Sequence, residues 1–305
     1  MSSEDRLLDE LRPASFAIAY RMLGSVTEAE DVVQEALLRV HQVLDRGERI
    51  ASPRAFIATI TTRLAINELR SARARRESYV GDWLPEPIVT DELDDPTKQA
   101  EMADSLSMAM LVLLERLSPE QRAVVLLHDV FDYGYKEIGA MIDKPETTVR
   151  QIALRARRHL ERRRPRFQTT RQQRDELARR FFAAAEQGDL AGLEALFADD
   201  VTLAGDGGGR VPALARSLGG RSRVARTIVN WFRLGARLPG VSFRPTEING
   251  GPGALYLDPG GRLLGVMALD IAESQIVAIS SIVNPEKLAH LGPVADRDEV
   301  LRSAR

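Results

Sequence analysis

The feature that most restricts this chain is a run of cap and turn signals over residues 118–164. Ser118, Pro119, Glu120 and Gln121 supply an N-cap, a proline at the first helical position and a glutamine three residues after the cap, so a helix is predicted to start there. A second, short helix is predicted over 135–142. A third opens at Asp143, Lys144, Pro145 and Glu146, read as another capping box, and runs to about residue 164. Two short, closely spaced helices followed by a basic one form the helix-turn-helix pattern. At 100° per residue, Val149, Ile152, Ala153, Ala156 and Leu160 share one stripe of the third helix, which is predicted to be core. Thr147, Gln151, Leu154, Arg155 and Arg158 fall on the opposite side, with Thr148 and Arg150 on the flanks near the end that enters a major groove. Thr147, Thr148, Arg150, Gln151, Arg155 and Arg158 are therefore the candidate base and phosphate readers. Arginine pairs bidentately with guanine and glutamine with adenine, whereas further arginines hold phosphates without reading sequence.

Whole-chain charge hides this basic segment. The net charge is -2 and the pI about 6.2, a weak argument against a nucleic-acid ligand. Basic residues nevertheless crowd 150–166 (eight arginines), while acidic residues crowd 82–104 (Asp82, Glu86, Asp91, Glu92, Asp94, Asp95, Glu101, Asp104). Segregated charge points to separate partners. At 305 residues, two or three domains are expected, and 44% hydrophobic residues suffice for each to bury a core. Cysteine is absent, which excludes disulfides, thiolate metal sites and thiol catalysis. No cofactor or metal is called for. The opening residues are charged from the fourth onward and no apolar run approaches 18 residues, so neither export nor membrane spanning is predicted, and a cytoplasmic location is expected.

Upstream of the helix-turn-helix, helical spacing over residues 5–77, broken near Gly24 and between Gly47 and Pro53, predicts an all-helical first domain (1–79). Thr27 and Glu30 read as a capping box for a helix whose polar face carries Asp31, Gln34 and Glu35. A further helix from Arg54 to about Arg76 is apolar early and basic late, with Arg70, Arg73, Arg75 and Arg76. Residues 80–104 read as an acidic linker. Within it Trp83 and Leu84 are expected to pack on something, either pinning the linker to the first domain or receiving a C-terminal motif. The second helical domain is expected over 105–166.

Beyond residue 174 the pattern becomes α+β. Helices are predicted over 175–186 and 189–197, then strands over 201–204, 241–244, 254–257, 262–271 and 275–283. Turns at 258–261 and 272–275 should make the last three strands an antiparallel meander. This domain is placed at 174–290, with a tail over 291–305.

Together the helix AEDVVQEALLRV, the helix SPRAFIATITTRLAINELRSARARR, the linker and LSPEQRAVVLLHDVFDYGYKEIGAMIDKPETTVRQ resemble the two helical domains of extracytoplasmic-function sigma factors of RNA polymerase. YVGDWLPEP, DGGGR at 206–210 and NPEKL at 284–288 further resemble the subgroup with a fused C-terminal SnoaL-like domain. The fold this implies is two all-α sigma domains, the second with the helix-turn-helix, followed by an α+β SnoaL-like cone domain. By this resemblance Asp31, Gln34 and Glu35 dock on core RNA polymerase. The loop over 45–52 and the helix bearing Asn67, Arg70 and Arg73 face the promoter −10 element, and the helix-turn-helix takes the −35 element of double-stranded promoter DNA. Phe56 and Asn67 depart from the family pattern, which has tryptophan and aspartate there. The acidic linker residues Asp91, Glu92, Asp94 and Asp95 are expected either to thread the polymerase channel or to act as a solubilising spacer. Trp83, Leu84, Pro85, Asp206, Arg210, Asn284, Pro285 and Lys287 are expected to make the contacts by which the C-terminal domain modulates sigma activity.

Two other function classes share these features. One is a ligand-sensing helix-turn-helix regulator. The other is a SnoaL-type enzyme with a DNA-binding appendage, for which Asp206 beside Gly207, Gly208 and Gly209 would be the candidate base. No paired acid and base at helical or strand spacing supports catalysis. A small-molecule ligand in the C-terminal pocket is a further expected partner.

Overall fold

The computed structural model describes residues 3–77, 79–90, 107–161, 170–238 and 240–296. The chain divides into two units, residues 1–78 with 113–164, and residues 79–112 with 165–305. Among the described residues no helix is long and apolar enough to cross a membrane.

The first unit is helical. It contains α1 (Ser3–Leu23), α2 (Val26–Asp45), α3 (Pro53–Glu77), the end of α4 (Met108–Leu114), α5 (Pro119–Asp129), α6 (Tyr135–Ile142) and α7 (Glu146–Glu161). Leu11, Ala36, Val40 and Ile57 form one buried cluster joining α1, α2 and α3. Ser15 and Thr61 satisfy each other beside it through a buried hydrogen bond of 2.7 Å. Arg122 of α5 is buried, donates to the carbonyl of Arg21 at 3.1 Å and pairs with Glu115.

Helix starts follow their caps, with two corrections. Ser118 accepts from the Gln121 N–H while the Gln121 side chain accepts from the Ser118 N–H, a complete capping box. The cap of α2 is Ser25, which accepts from the Glu28 N–H at 3.2 Å, and not Thr27. Both serine and threonine stand three residues before a glutamate, so the sequence pattern alone is ambiguous. Asp143 does not cap α7. It lies in the left-handed region (φ 55) and closes α6, an aspartate being among the few non-glycine residues that tolerate that conformation. The helix α7 starts after Pro145.

The second unit is built on a six-stranded sheet: β1 (Phe197–Asp206), β2 (Leu218–Gly219), β3 (Ser242–Ile248), β4 (Gly251–Leu257), β5 (Leu263–Ala272) and β6 (Gln275–Ile282), in the order β2-β1-β6-β5-β4-β3. The meander β3 to β6 is antiparallel, and the first long strand closes onto the last in parallel. Around it lie α8 (Arg171–Gln187), α9 (Leu190–Leu196), α10 (Arg221–Gly235) and α11 (Pro285–Leu288), with a 3-10 turn at Ala289–Leu291. The sequence reading passed over α10 and β2.

Both faces of this sheet are covered. On one, α8, α9 and α10 pack Phe181, Val224, Ile228 and Phe232 against Val201, Leu203, Met267, Leu269 and Ile279. On the other, Leu255, Leu263, Val266, Ala268 and Ile282 are covered by Leu288 of α11 together with Leu84 and Met108, which precede the second helical domain in sequence. Residues 79–90 therefore belong to the sheet rather than to a free spacer. Asn249 N–H donates to the Ile88 carbonyl at 2.8 Å while Ile88 N–H donates to the Asn249 side-chain Oδ1 at 3.0 Å, Thr90 N–H donates to Glu247 O at 2.9 Å, and Val89 bridges Ile248, so three linker residues extend the β3 edge antiparallel. Residues 91–106 of the expected acidic linker lie outside the described residues.

Candidate functional site

Three helix faces and one buried polar cluster carry the candidate residues. On α2, Asp31 and Gln34 are exposed and Glu35 is half-buried and paired with Arg39 at 2.8 Å. Leu38 falls on the same stripe and is 49% exposed, a large apolar side chain amid polar ones. The sequence reading missed it, although its spacing of four from Gln34 places it there.

On α3, Asn67 and Arg70 are exposed. Arg70 pairs with Glu120 of α5 at 3.3 Å, and Arg63 donates to the carbonyls of Met141 at 2.7 Å and Ala140 at 3.1 Å on α6. The end of α3 holds Arg73, whose side chain lies outside the described residues. The helix α3 is thus engaged with α6 through Arg63 and with α5 through Arg70.

On α7 the expected division of faces appears. Val149, Ala153, Ala156 and Leu160 are buried and Ile152 is half-buried, whereas Thr147, Arg150, Gln151, Arg155 and Arg158 are exposed and Thr148 is half-buried. Leu154 stands among them at 52% exposure. Arg150 is already held, paired with Glu146 at 2.7 Å and stacked 4.7 Å from the Tyr135 ring centre. Arg157 pairs with Asp129. Arg162, Arg163, Arg164 and Arg166 lie outside the described residues.

The polar cluster sits in the second unit at the end of β1. Asp206 is 1% exposed, and its Oδ1 accepts from the Tyr79 hydroxyl at 2.6 Å and from Gly208 N–H at 3.0 Å. Its Oδ2 accepts from the Leu84 N–H at 2.8 Å and from Lys287 Nζ at 2.7 Å. Lys287 also donates to the Leu84 carbonyl, and its ammonium lies 4.0 Å from the Trp83 ring centre and 5.0 Å from that of Tyr79. Asn284 caps α11 through Glu286 N–H and donates to the Tyr79 hydroxyl at 2.9 Å, while Pro285 occupies the first turn. Burial first, then the hydrogen bond to Asp206, holds the Tyr79 phenol above its ordinary pKa, so it stays a donor. Pro85 is buried, and His290 Nε2 donates to the Pro87 carbonyl at 2.7 Å. Arg210 pairs with Glu286 at 2.5 Å in the open.

The glycines make this approach feasible. A Cβ on Gly207 would meet the Val211 carbonyl at 2.0 Å, and one on Gly208, which has φ 61, would meet Asn284 Nδ2 at 2.4 Å. The structure thus joins Trp83, Leu84, Asp206, Asn284 and Lys287 around Tyr79, which lies 205 residues from Asn284 in sequence. Tyr79, the phenol at its centre, was not singled out from the sequence. Tyr79→Phe is expected to lower the stability of this unit by about 1.5–3 kcal/mol, the worth of a hydrogen bond to a charged acceptor, and denaturant unfolding measures it.

Two family models match, Sigma-70 region 2 over residues 7–75 and Sigma-70 region 4 over residues 107–160. The chain is 35% identical over 289 residues to the ECF RNA polymerase sigma factor SigJ of Mycobacterium tuberculosis, covering 92% of this chain and 91% of that protein. The chain belongs to the extracytoplasmic-function sigma factors. A probable member of that family from the same organism, SigI, is 31% identical over 89% of this chain and 90% of its own length. The crystal structure of M. tuberculosis SigJ superposes with a TM-score of 0.74 at 32% identity, covering 92% of this chain and 96% of that one. This sigma factor therefore carries region 2 on α1 to α3, region 4 on α4 to α7, and a SnoaL-like helix-plus-sheet domain after them.

Sigma factors are transcription initiation factors rather than enzymes, and the geometry of Asp206 agrees. All of its carboxylate contacts face the covered outer side of the sheet, with both oxygens accepting twice. A carboxylate saturated in this way has no open lone pair for a substrate proton. Its chemistry here is to hold a segment of backbone and a lysine.

Proposed function

We propose that this sigma factor directs promoter-specific initiation with α2 docked on core RNA polymerase, α3 at the −10 element and α7 at the −35 element, and that its SnoaL-like unit restrains that activity. The observation that carries the restraint is the Asp206–Lys287 pair closed over Tyr79, Trp83 and Leu84. Region 2 enters the second unit at Tyr79 and region 4 leaves it after Val112, with Leu84 and Met108 fixed on one sheet face between them. The two promoter elements lie on the order of 80 Å apart at about 3.4 Å per base pair. Helices joined by Arg63 and Arg70 cannot occupy both at once. Engagement of DNA then requires α3 to part from α5 and α6, and a connection held at both ends limits how far they part. Releasing the clamp is expected to raise promoter output.

A small-molecule ligand is not needed for this reading; on the helix-covered side of the sheet Phe232 stacks on Phe243 at 4.7 Å and Phe243 meets Tyr256 edge to face at 4.6 Å. For the −35 contacts, Arg155→Ala is expected to relax preference at one base pair by about 1–3 kcal/mol, whereas Arg158→Ala weakens all sequences alike. Holoenzyme binding to a set of promoters varied one position at a time reads this directly. An Arg155→Ala profile identical to wild type at every position would sink the assignment.

A further inference from the structure

Residues 207–246 contain eight arginines and no aspartate or glutamate, although 44 acidic residues in 305 would place about six in any forty. The helix α10 organises this excess. Arg223, Arg226, Asn230 and Arg233 are all exposed, and their spacing of three, four and three residues keeps them on one stripe of the helix; Arg237, two residues past its end, is exposed as well. The opposite face supplies Val224, Ala225, Ile228, Val229 and Phe232 to the core, so the fold is served by the apolar side. Arg221 is neutralised by Asp199 at 3.1 Å. Arg226 spends one donor on the Ser222 carbonyl, and Arg233 lies over Gly188 at the end of α8. None of Arg223, Arg226, Arg233 and Arg237 has a carboxylate partner among the described residues.

We infer that this stripe is a second DNA-binding surface, which grips duplex phosphates without reading sequence. From Arg223 to Arg233 it runs about 15 Å at 1.5 Å per residue, a length over which a duplex carries about nine phosphate charges. Guanidinium groups suit phosphate oxygens, which they bind through paired N–H donors. An acidic protein surface is the competing partner, and salt dependence separates the two. The inference rests on promoter DNA being the ligand of this sigma factor, and it assigns to the SnoaL-like unit a share of affinity that regions 2 and 4 do not supply.

The test uses holoenzyme assembled from core polymerase and the full chain, with binding to a promoter duplex measured across salt. The variant R223Q/R226Q/R233Q/R237Q is expected to flatten the slope of log K against log salt by about 2–4, at roughly 0.9 per lost phosphate contact, and to weaken low-salt binding at least tenfold. Its preference among promoters should be unchanged, which distinguishes loss of this surface from failure of the −35 reading. The matching Arg→Lys variant keeps the charge and should keep the wild-type slope, and an unchanged melting temperature in both excludes misfolding. A glutamine variant with the wild-type slope would overturn the inference. So would one that loses affinity for core polymerase while its DNA slope is unchanged.

Discussion

Lys287→Met is expected to lower the stability of the SnoaL-like unit by about 3–5 kcal/mol, the penalty of leaving a buried carboxylate without its counter-charge. Asp206 and Lys287 have side chains 0% and 7% exposed, so solvent cannot take over the lost contact. Adding Asp206→Asn to the same chain removes the orphaned charge and should recover a large part of the loss. A double-mutant cycle by chemical denaturation measures that coupling. Two single losses that simply add would show that the pair does not act as one unit. The effect reaches beyond stability because both partners also hold the backbone of Leu84. The double variant therefore releases the connection between regions 2 and 4 in a unit that still folds.

Asp270→Asn is expected to act in the opposite direction and only above acidic pH. Asp270 on β5 faces the outer side of the sheet, where its Oδ1 accepts from Ala109 N–H at 3.1 Å in the first turn of α4. Its Oδ2 is buried with no partner among the described residues. Burial pushes its pKa from 3.8 up to about 7, against a smaller opposing contribution from the Ala109 hydrogen bond. The folded chain thus keeps a proton that the unfolded chain has already released, so the contribution of Asp270 to stability is fully present below about pH 4 and is lost as pH rises through about 7. A change of that size corresponds to on the order of 4 kcal/mol at full ionisation. Asparagine cannot ionise. The variant should match wild type near pH 4 and exceed it at pH 8, as read by denaturant midpoints across pH. Superimposable profiles for the two proteins would contradict the assignment.

These two residues illustrate how far the sequence could be read. Local signals carried well where one residue type has one meaning: Ser118 with Gln121 fixed a helix start, and the split faces of α7 separated core from exposed arginine. They failed where a pattern has two geometries. Ser25 and Thr27 both suit a cap, and Asp143 suits the end of one helix as well as the start of the next. The helix α10 has a clear apolar stripe but begins at Gly220 without a side-chain cap, among glycines that read as loop. The clamp was half legible. Its motifs stood out singly, but Tyr79, although it opens YVGDWLPEP, was not among the expected contacts, and prolines at 85 and 87 disguised residues 88–90 as spacer when they pair with β3. Contacts across some 200 residues, like the parallel closure of β1 on β6, are properties of the folded sheet that no local window contains.

Run-off transcription by core RNA polymerase supplied with the full chain tests the central claim most directly, comparing wild type with the Asp206→Asn/Lys287→Met variant at equal core occupancy. Wild type should yield a promoter-dependent transcript, and the variant should yield several-fold more of the same transcript from the same start. No promoter-dependent transcript from wild type, or equal yields from the two proteins, would contradict a sigma factor restrained by its own C-terminal unit.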